Sequence, residues 1–128
     1  MYTHLTLGSN DVEKSKKFYD AIFGALGAAP GTLFAEDTKC LYSHKERNLI
    51  VTKPINGEPA TAANGFTVGL ACDSPEQIQA WHDAGVANGG TSCEDPPGLR
   101  NGAYGPLYLA YLRDPDGNKL CAIHRPEA

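Results

Sequence analysis

The stretch that decides the fold is residues 111–124, which read YLRDPDGNKLCAIH. Two partly alternating apolar segments flank a tight turn, and this pattern predicts an antiparallel β-hairpin with one buried face. In the turn, Asp114 can accept backbone hydrogen bonds, Pro115 presets φ at the first central position, and Gly117 supplies the positive φ that closes it. On the second strand we expect Cys121 to point inward, and the interpretation of function depends on this residue.

The hairpin ends a pattern that occurs twice along the chain. Each half contains a strand, an amphipathic helix and three further strand segments, and the halves align at an offset of about 63 residues, which places His4 on Thr67. Helix starts are indicated by the capping sequences at 9–11 and at 74–77. Each module is too small to bury its helix alone. We therefore expect two modules packed side by side, with their strands curved around a shared cleft.

The predicted fold class is α+β, with two tandem βαβββ modules that form a curved mixed sheet around a central cleft and helices on the outside. We expect one domain over residues 1–128. Module 1 covers about residues 1–54, a linker about 55–64, and module 2 about 65–128. Within module 2, residues 94–105 are rich in proline and glycine and are predicted to form a loop.

Composition excludes several classes of partner. The formal net charge is −4 and the basic residues form no large cluster, which argues against a nucleic-acid surface. No apolar run approaches the roughly 18 residues that a membrane span requires. The chain starts directly with a strand pattern, without a leader-like segment, and its four cysteines form no Cys-x-x-Cys pair. We therefore expect a cytoplasmic protein with reduced thiols and no membrane partner.

A tandem βαβββ repeat that ends in Asp-Pro-Asp-Gly-Asn resembles the vicinal oxygen chelate superfamily, which includes glyoxalase I, the bleomycin- and fosfomycin-resistance proteins and the extradiol dioxygenases. The opening residues 4–11 and 15–19 look like the first strand and helix of that family. Residues 97–100, 104–108 and 114–118 are similar to a glyoxalase-like branch of bacterial proteins. The resemblance covers nearly the whole chain. It implies a small-molecule ligand in the cleft and, since many relatives are homodimers, a homodimer.

The resemblance also implies a divalent metal held by residues of the first and last strands of each module. His4 matches the first ligand position, but its counterpart in module 2 is Thr67. The last-strand position, where relatives often carry Glu, is Cys121, and its counterpart in module 1 is Ile50, with Thr52 as the alternative register. The usual ligand set is thus mostly absent, and we expect no resident cofactor. A divalent metal held by His4 and Cys121 is the alternative.

Seven side chains are predicted to contact the ligand, because they face the expected cleft or lie in a loop that could close over it. Aromatic groups, one cation and a few hydroxyls suit a small, partly aromatic or anionic organic molecule. In the other interpretation the tyrosines fill the curved sheet and the arginine caps loop carbonyls. The seven residues are His4, Thr6, Thr67, Arg100, Tyr104, Tyr108 and Cys121.

Three functions stay open at this level. The favoured one is a metal-free protein that binds a small organic molecule in the cleft between the modules. The second is a metal-dependent lyase or isomerase of the lactoylglutathione lyase type, or a dioxygenase-like relative. That chemistry needs a general base, yet none of the four ligand positions carries a carboxylate. The third is a protein whose cleft is filled by its own side chains. The sequence identifies neither a catalytic residue nor the ligand.

Overall fold

The computed structural model describes residues 1–126, which form two β-sheets and two helices. None of the helices in this part of the chain is both long and apolar enough to cross a membrane. The elements of the first half are β1 (His4–Gly8), α1 (Val12–Ala25), β2 (Thr32–Phe34), β3 (Lys39–His44) and β4 (Arg47–Thr52). Those of the second half are β5 (Val68–Ala71), α2 (Pro75–Ala87), β6 (Thr91–Ser92), β7 (Gly98–Gly102), β8 (Gly105–Arg113) and β9 (Lys119–His124).

The two sheets follow the same path. The first has the strand order β1-β4-β3-β2, and the second has the order β5-β9-β8-β6, with β7 also paired to β8. In each sheet the first strand runs parallel to the last, and the other pairs are antiparallel. The predicted α+β class and the repeat are confirmed. Among residues 1–126 no ladder joins β1 to β5, so each of these strands ends its own sheet.

The strand registers show which positions of the two halves correspond. Thr6 lies opposite Ile50 in the first sheet, and Gly69 lies opposite Cys121 in the second. Thr6 and Gly69 are themselves related by the repeat offset. Ile50 is therefore the counterpart of Cys121, and the alternative register through Thr52 is wrong.

The predicted loop at residues 94–105 is wrong over six residues, because Gly105 is the first residue of β8 and Gly98–Gly102 forms β7. This strand pairs with the first half of β8, while β6 pairs with its last two residues, so both lie along the same side of β8. Pro96 and Pro97 stand between them and have no N–H to donate to a ladder. Together β6 and β7 act as one interrupted strand. The second part, β7, contains two glycines and has a low intrinsic β-propensity, so it is extended because it pairs with the long strand β8.

Both helices begin at the predicted caps. The Asp11 carboxylate accepts the Lys14 N–H at 3.1 Å, and the Ser74 hydroxyl accepts the Gln77 N–H at 3.1 Å. The Gln77 side chain also accepts the N–H of Asp73, the residue before the cap, at 2.6 Å, so it holds the chain where it enters α2. Each helix packs an apolar stripe on its own sheet. The largest fully buried side chains of the helices are Phe18, Tyr19, Ile22, Ile78 and Trp81.

The helices also pack against each other, at a point where α2 carries a glycine. A methyl group on Gly85 would overlap Leu112 and would lie 3.2 Å from Ile22 and 3.3 Å from Phe18. Only a hydrogen atom fits between the two helices and β8 at this position. The glycine thus sets how closely α1 and α2 approach.

The Asp-Pro-Asp-Gly-Asn turn between β8 and β9 ties the second half to the first. The buried Asp114 carboxylate accepts the Tyr19 hydroxyl at 2.6 Å and the turn N–H groups of Asp116 and Asn118, both at 2.9 Å. The Asn118 amide donates to the Gly8 carbonyl at 2.9 Å. Burial, and then the nearby Asp114 charge, raise the pKa of Tyr19, so its hydroxyl stays a donor.

We expect Tyr19→Phe to lower the free energy of unfolding by about 1–3 kcal/mol, because it leaves a buried carboxylate without one of its donors. Urea unfolding followed by circular dichroism measures this change. Tyr104→Phe is the matched control, since Tyr104 is 86% exposed and should show no loss. Equal stability of the two variants would show that the Tyr19 hydroxyl does not hold the halves together.

A pair of Gly→Ala substitutions tests the helix contact. Gly85→Ala should cost about 1–3 kcal/mol, because the new methyl group overpacks the α1–α2 contact. Gly24→Ala, at a helical site where the new group meets nothing within 4 Å beyond its chain neighbours and the backbone of its own helix, should be neutral or stabilise by up to about 1 kcal/mol. Thermal unfolding of both variants gives the signs. A Gly85→Ala protein as stable as the parent would contradict the close packing.

Candidate functional site

A cavity of about 570 Å³ lies in the gap between β1 and β5. Residues 2–5, the end of α1 and the β3–β4 hairpin line it from the first half, and residues 66–71 with the start of α2 line it from the second. The Asp-Pro-Asp-Gly-Asn turn contacts β1 at Gly8, at the opposite end of that strand. The two halves are thus closed together at one end of β1 and separated at the other.

The wall of this cavity is mainly apolar. Its side chains come from helix-facing positions of both halves, which in each separate module would belong to the hydrophobic core. Between the modules they meet open space instead of a partner. Apolar walls of this kind suit an organic molecule rather than an ion. The apolar residues include Leu5, Phe23, Leu26, Leu49, Val68 and Leu70.

Polar side chains stand at the rim, and cations outnumber anions there. Lys45 and Arg47 of the β3–β4 hairpin and Asp73, which precedes α2, all line the cavity, and the Lys45 ammonium lies 3.8 Å from the Asp73 carboxylate. Both groups are largely exposed, so this ion pair contributes at most about 1 kcal/mol. A surplus of positive charge at the rim favours a ligand that carries a negative group.

The β3–β4 turn is the counterpart of the Asp-Pro-Asp-Gly-Asn turn in the repeat. The Asp-Pro-Asp-Gly-Asn turn packs a buried carboxylate and an amide against α1 and β1. Among the described residues, the polar contact of the β3–β4 turn with the start of α2 is the Lys45–Asp73 ion pair. One inter-module contact is therefore tight and the other is loose. This difference is why the cavity opens beside the β3–β4 turn.

Of the seven predicted ligand contacts, His4 and Thr67 line the cavity. Thr6 is exposed on the side of the first sheet opposite α1, and it does not line the cavity. Tyr104 is exposed at the β7–β8 turn, also outside the lining. Arg100 donates to the carbonyls of residues 95 and 96, both at 2.9 Å. This is the loop-capping role that the other interpretation described.

The prediction that Tyr108 points into the cleft is wrong. In the β8–β9 ladder Tyr111 lies opposite Cys121, so odd-numbered residues of β8 share the face of Cys121. Tyr108 is on the other face, with the buried Ala110 and Leu112, and packs against the core. Its ring lies beside His124, with the centroids 6.3 Å apart. Successive side chains of a strand point to opposite faces of the sheet, and the sequence alone did not show whether the odd- or the even-numbered residues of β8 face the cleft.

Cys121 is 4% exposed and lies outside the cavity lining. Burial raises the pKa of its thiol, while the hydroxyl of Tyr111 opposes this effect and the charge of Glu94 adds to it. Glu94 itself pairs with Lys119, whose ammonium lies 4.9 Å from the centre of the Tyr111 ring. A buried thiol with a raised pKa is a poor nucleophile.

The donors at the family's ligand positions do not fit a resident metal. They are one imidazole, a protonated thiol, the hydroxyl of Thr67 and the aliphatic Ile50, and the His4 ring contacts the neighbouring Thr3 hydroxyl at 2.9 Å. Within residues 1–126, no three His, Cys, Asp or Glu side chains are grouped so that they could hold a metal ion. A catalytic step through a metal has no support in this donor set.

The comparisons with known proteins agree with this fold. Residues 2–122 match the family model described as the Glyoxalase/Bleomycin resistance protein/Dioxygenase superfamily. A crystal structure of a glyoxalase/bleomycin resistance protein from Albidiferax ferrireducens T118 is similar at 57% sequence identity and a TM-score of 0.93, over 98% of this chain and 99% of that one. No curated protein is detectably similar to the chain.

Two more distant structures support the fold alone. A glyoxalase-related enzyme from Fulvimarina pelagi has 22% identity and a TM-score of 0.74, over 98% of this chain and 89% of that one. A lactoylglutathione lyase from Agrobacterium tumefaciens has 17% identity and a TM-score of 0.66, over 96% and 92%. With the family match over nearly its whole length, the chain belongs to the glyoxalase/bleomycin resistance protein/dioxygenase superfamily.

Proposed function

We propose that this protein binds a small organic molecule with a largely apolar body in the cavity between β1 and β5, and that it does so without a resident metal. The observation that carries the proposal is the apolar wall of this cavity. The cavity volume of about 570 Å³ is within the range of about 300–1,000 Å³ typical of small-molecule sites.

Backbone groups at the cavity support this role. β1 pairs only with β4, and β5 pairs only with β9, so each presents one unpaired edge toward the gap among the described residues. Such an edge offers N–H and C=O groups in a fixed row. A ligand with an apolar body and one or two polar atoms would therefore find hydrogen-bond partners without any specialised side chain.

Binding is favoured over catalysis by the residues at the last strand of each half. A glyoxalase-type reaction moves a proton between neighbouring carbons and needs a base near the substrate. The two positions carry Ile50 and Cys121, and neither can serve, because one is aliphatic and the other is a buried thiol with a raised pKa. Glu94 is engaged with Lys119.

The cavity proposal predicts that N-phenyl-1-naphthylamine, a neutral apolar dye, binds and gains fluorescence. Ala71→Trp places a bulky ring at an exposed position of the lining and should weaken dye binding at least about tenfold, the effect of losing about 1.4 kcal/mol of contact energy. Fluorescence titration gives both dissociation constants.

Ala87→Trp is the matched control, because Ala87 is exposed at the end of α2 and does not line the cavity. It should bind the dye as the parent does. An Ala71→Trp protein with unchanged affinity would place the dye elsewhere and would contradict the proposed site.

Metal analysis tests the second part of the proposal. Protein purified without a histidine tag should contain far less than one equivalent of nickel, zinc, manganese or iron, because its donor set is incomplete. His4→Ala provides the comparison. One equivalent of metal that co-purifies with the parent and is lost in this variant would favour the metal-dependent lyase or isomerase instead.

A further inference from the structure

A second cavity, of about 340 Å³, adjoins the first. Phe66 and Thr67 line both cavities, so the two cavities meet at these residues. Residues 62–67, which lead from the linker into β5, line the second cavity on one side, and Arg113 and Lys119 line it on the other. Its lining differs from that of the first cavity, because apart from Phe66 it consists of small or polar residues and two cations.

The two cations belong to neighbouring strands. Arg113 and Lys119 lie opposite each other at the turn end of the β8–β9 ladder, so their side chains share one face. The Arg113 guanidinium donates to the Gly117 carbonyl at 2.8 Å, which uses one of its five N–H donors. Lys119 pairs with Glu94. Two positive groups and one carboxylate leave a surplus of one positive charge beside the cavity.

The chain between the linker and β5 forms the other side of the second cavity. Gly65 has a φ of 95°, and the N–H of Phe66 donates to the Ala63 carbonyl at 3.3 Å, so the chain turns back tightly before β5. This turn places the linker over the face that carries Arg113 and Lys119. An anionic group there would meet a guanidinium fork, an ammonium group and the Thr67 hydroxyl.

We propose that the second cavity is the anion site for the ligand whose apolar body occupies the first. The ligand is then an organic acid: an apolar chain or ring system that passes Phe66 and Thr67 and ends in a carboxylate or phosphate held by Arg113 and Lys119. This inference rests on the proposed function. It extends that function by naming the chemical class of the ligand and the residues that select it.

Matched straight-chain probes test the anion site. Decanoate, decyl phosphate and decanol have the same apolar body and differ only in the head group. Each is titrated against the protein loaded with N-phenyl-1-naphthylamine, and loss of fluorescence reports displacement. We expect decanoate or decyl phosphate to displace the dye at a concentration about tenfold lower than decanol, the effect of one charge-assisted hydrogen bond. The better of the two anions identifies the head group.

Charge variants locate the effect. In the double variant Arg113→Gln/Lys119→Gln, the preference for the anions over decanol should disappear. Lys14→Gln/Lys17→Gln removes the same charge from the exposed face of α1 and should keep the preference. Arg113→Lys retains a cation and should also keep most of it, which separates the role of charge from any effect on the turn.

The outcomes distinguish the two proposals. If the dye binds in the cavity but all three probes displace it equally, or if the double variant keeps the anion preference, the anion site is wrong and the apolar cavity stands. If the dye does not bind the parent protein at all, the proposed function fails, and the organic-acid ligand fails with it.

Discussion

The structure depends on the buried carboxylate of Asp114. With 3% of its surface exposed, it would be strongly unfavourable without hydrogen-bond partners. Its partners are the N–H groups of its own turn, the Asn118 amide and the Tyr19 hydroxyl of α1. The last of these lies in the other half of the chain. The carboxylate is therefore fully satisfied only when the β8–β9 turn packs against α1, and this requirement sets how the two halves meet.

The repeat allows this contact to be compared with its equivalent in the first half. The corresponding turn between β3 and β4 has no buried carboxylate and reaches α2 only through the exposed pair of Lys45 and Asp73. Two modules with the same topology are thus joined tightly at one contact and loosely at its counterpart. The apolar surface that the loose contact leaves unpaired becomes the wall of the cavity. The proposed binding site therefore lies at the position in the first half that corresponds, through the repeat, to the stabilising contact of the β8–β9 turn.

The residues at the expected ligand positions also differ from the metal-binding set that the family resemblance implied. A metal site needs donors on the faces that carry His4 and Cys121, and those faces offer one imidazole and a protonated thiol. The space large enough for a ligand is bounded instead by helix-facing apolar side chains and by the linker. Under the proposed function, the apolar cavity and the neighbouring cationic cavity would select a ligand by its shape and its charge.

The sequence by itself determined what depends on neighbours along the chain: both helices with their caps, the hairpin turn, the repeat and hence the fold class. It also placed His4 and Thr67, which line the cavity, at equivalent positions. Only the tertiary structure decided the rest. β7 forms because β8 is beside it, and Tyr108 faces the core because the ladder sets the parity of the whole strand. The cavity itself is a gap between β1 and β5, more than sixty residues apart. Such a gap arises from the geometry of packing, and no local pattern of residue types encodes it.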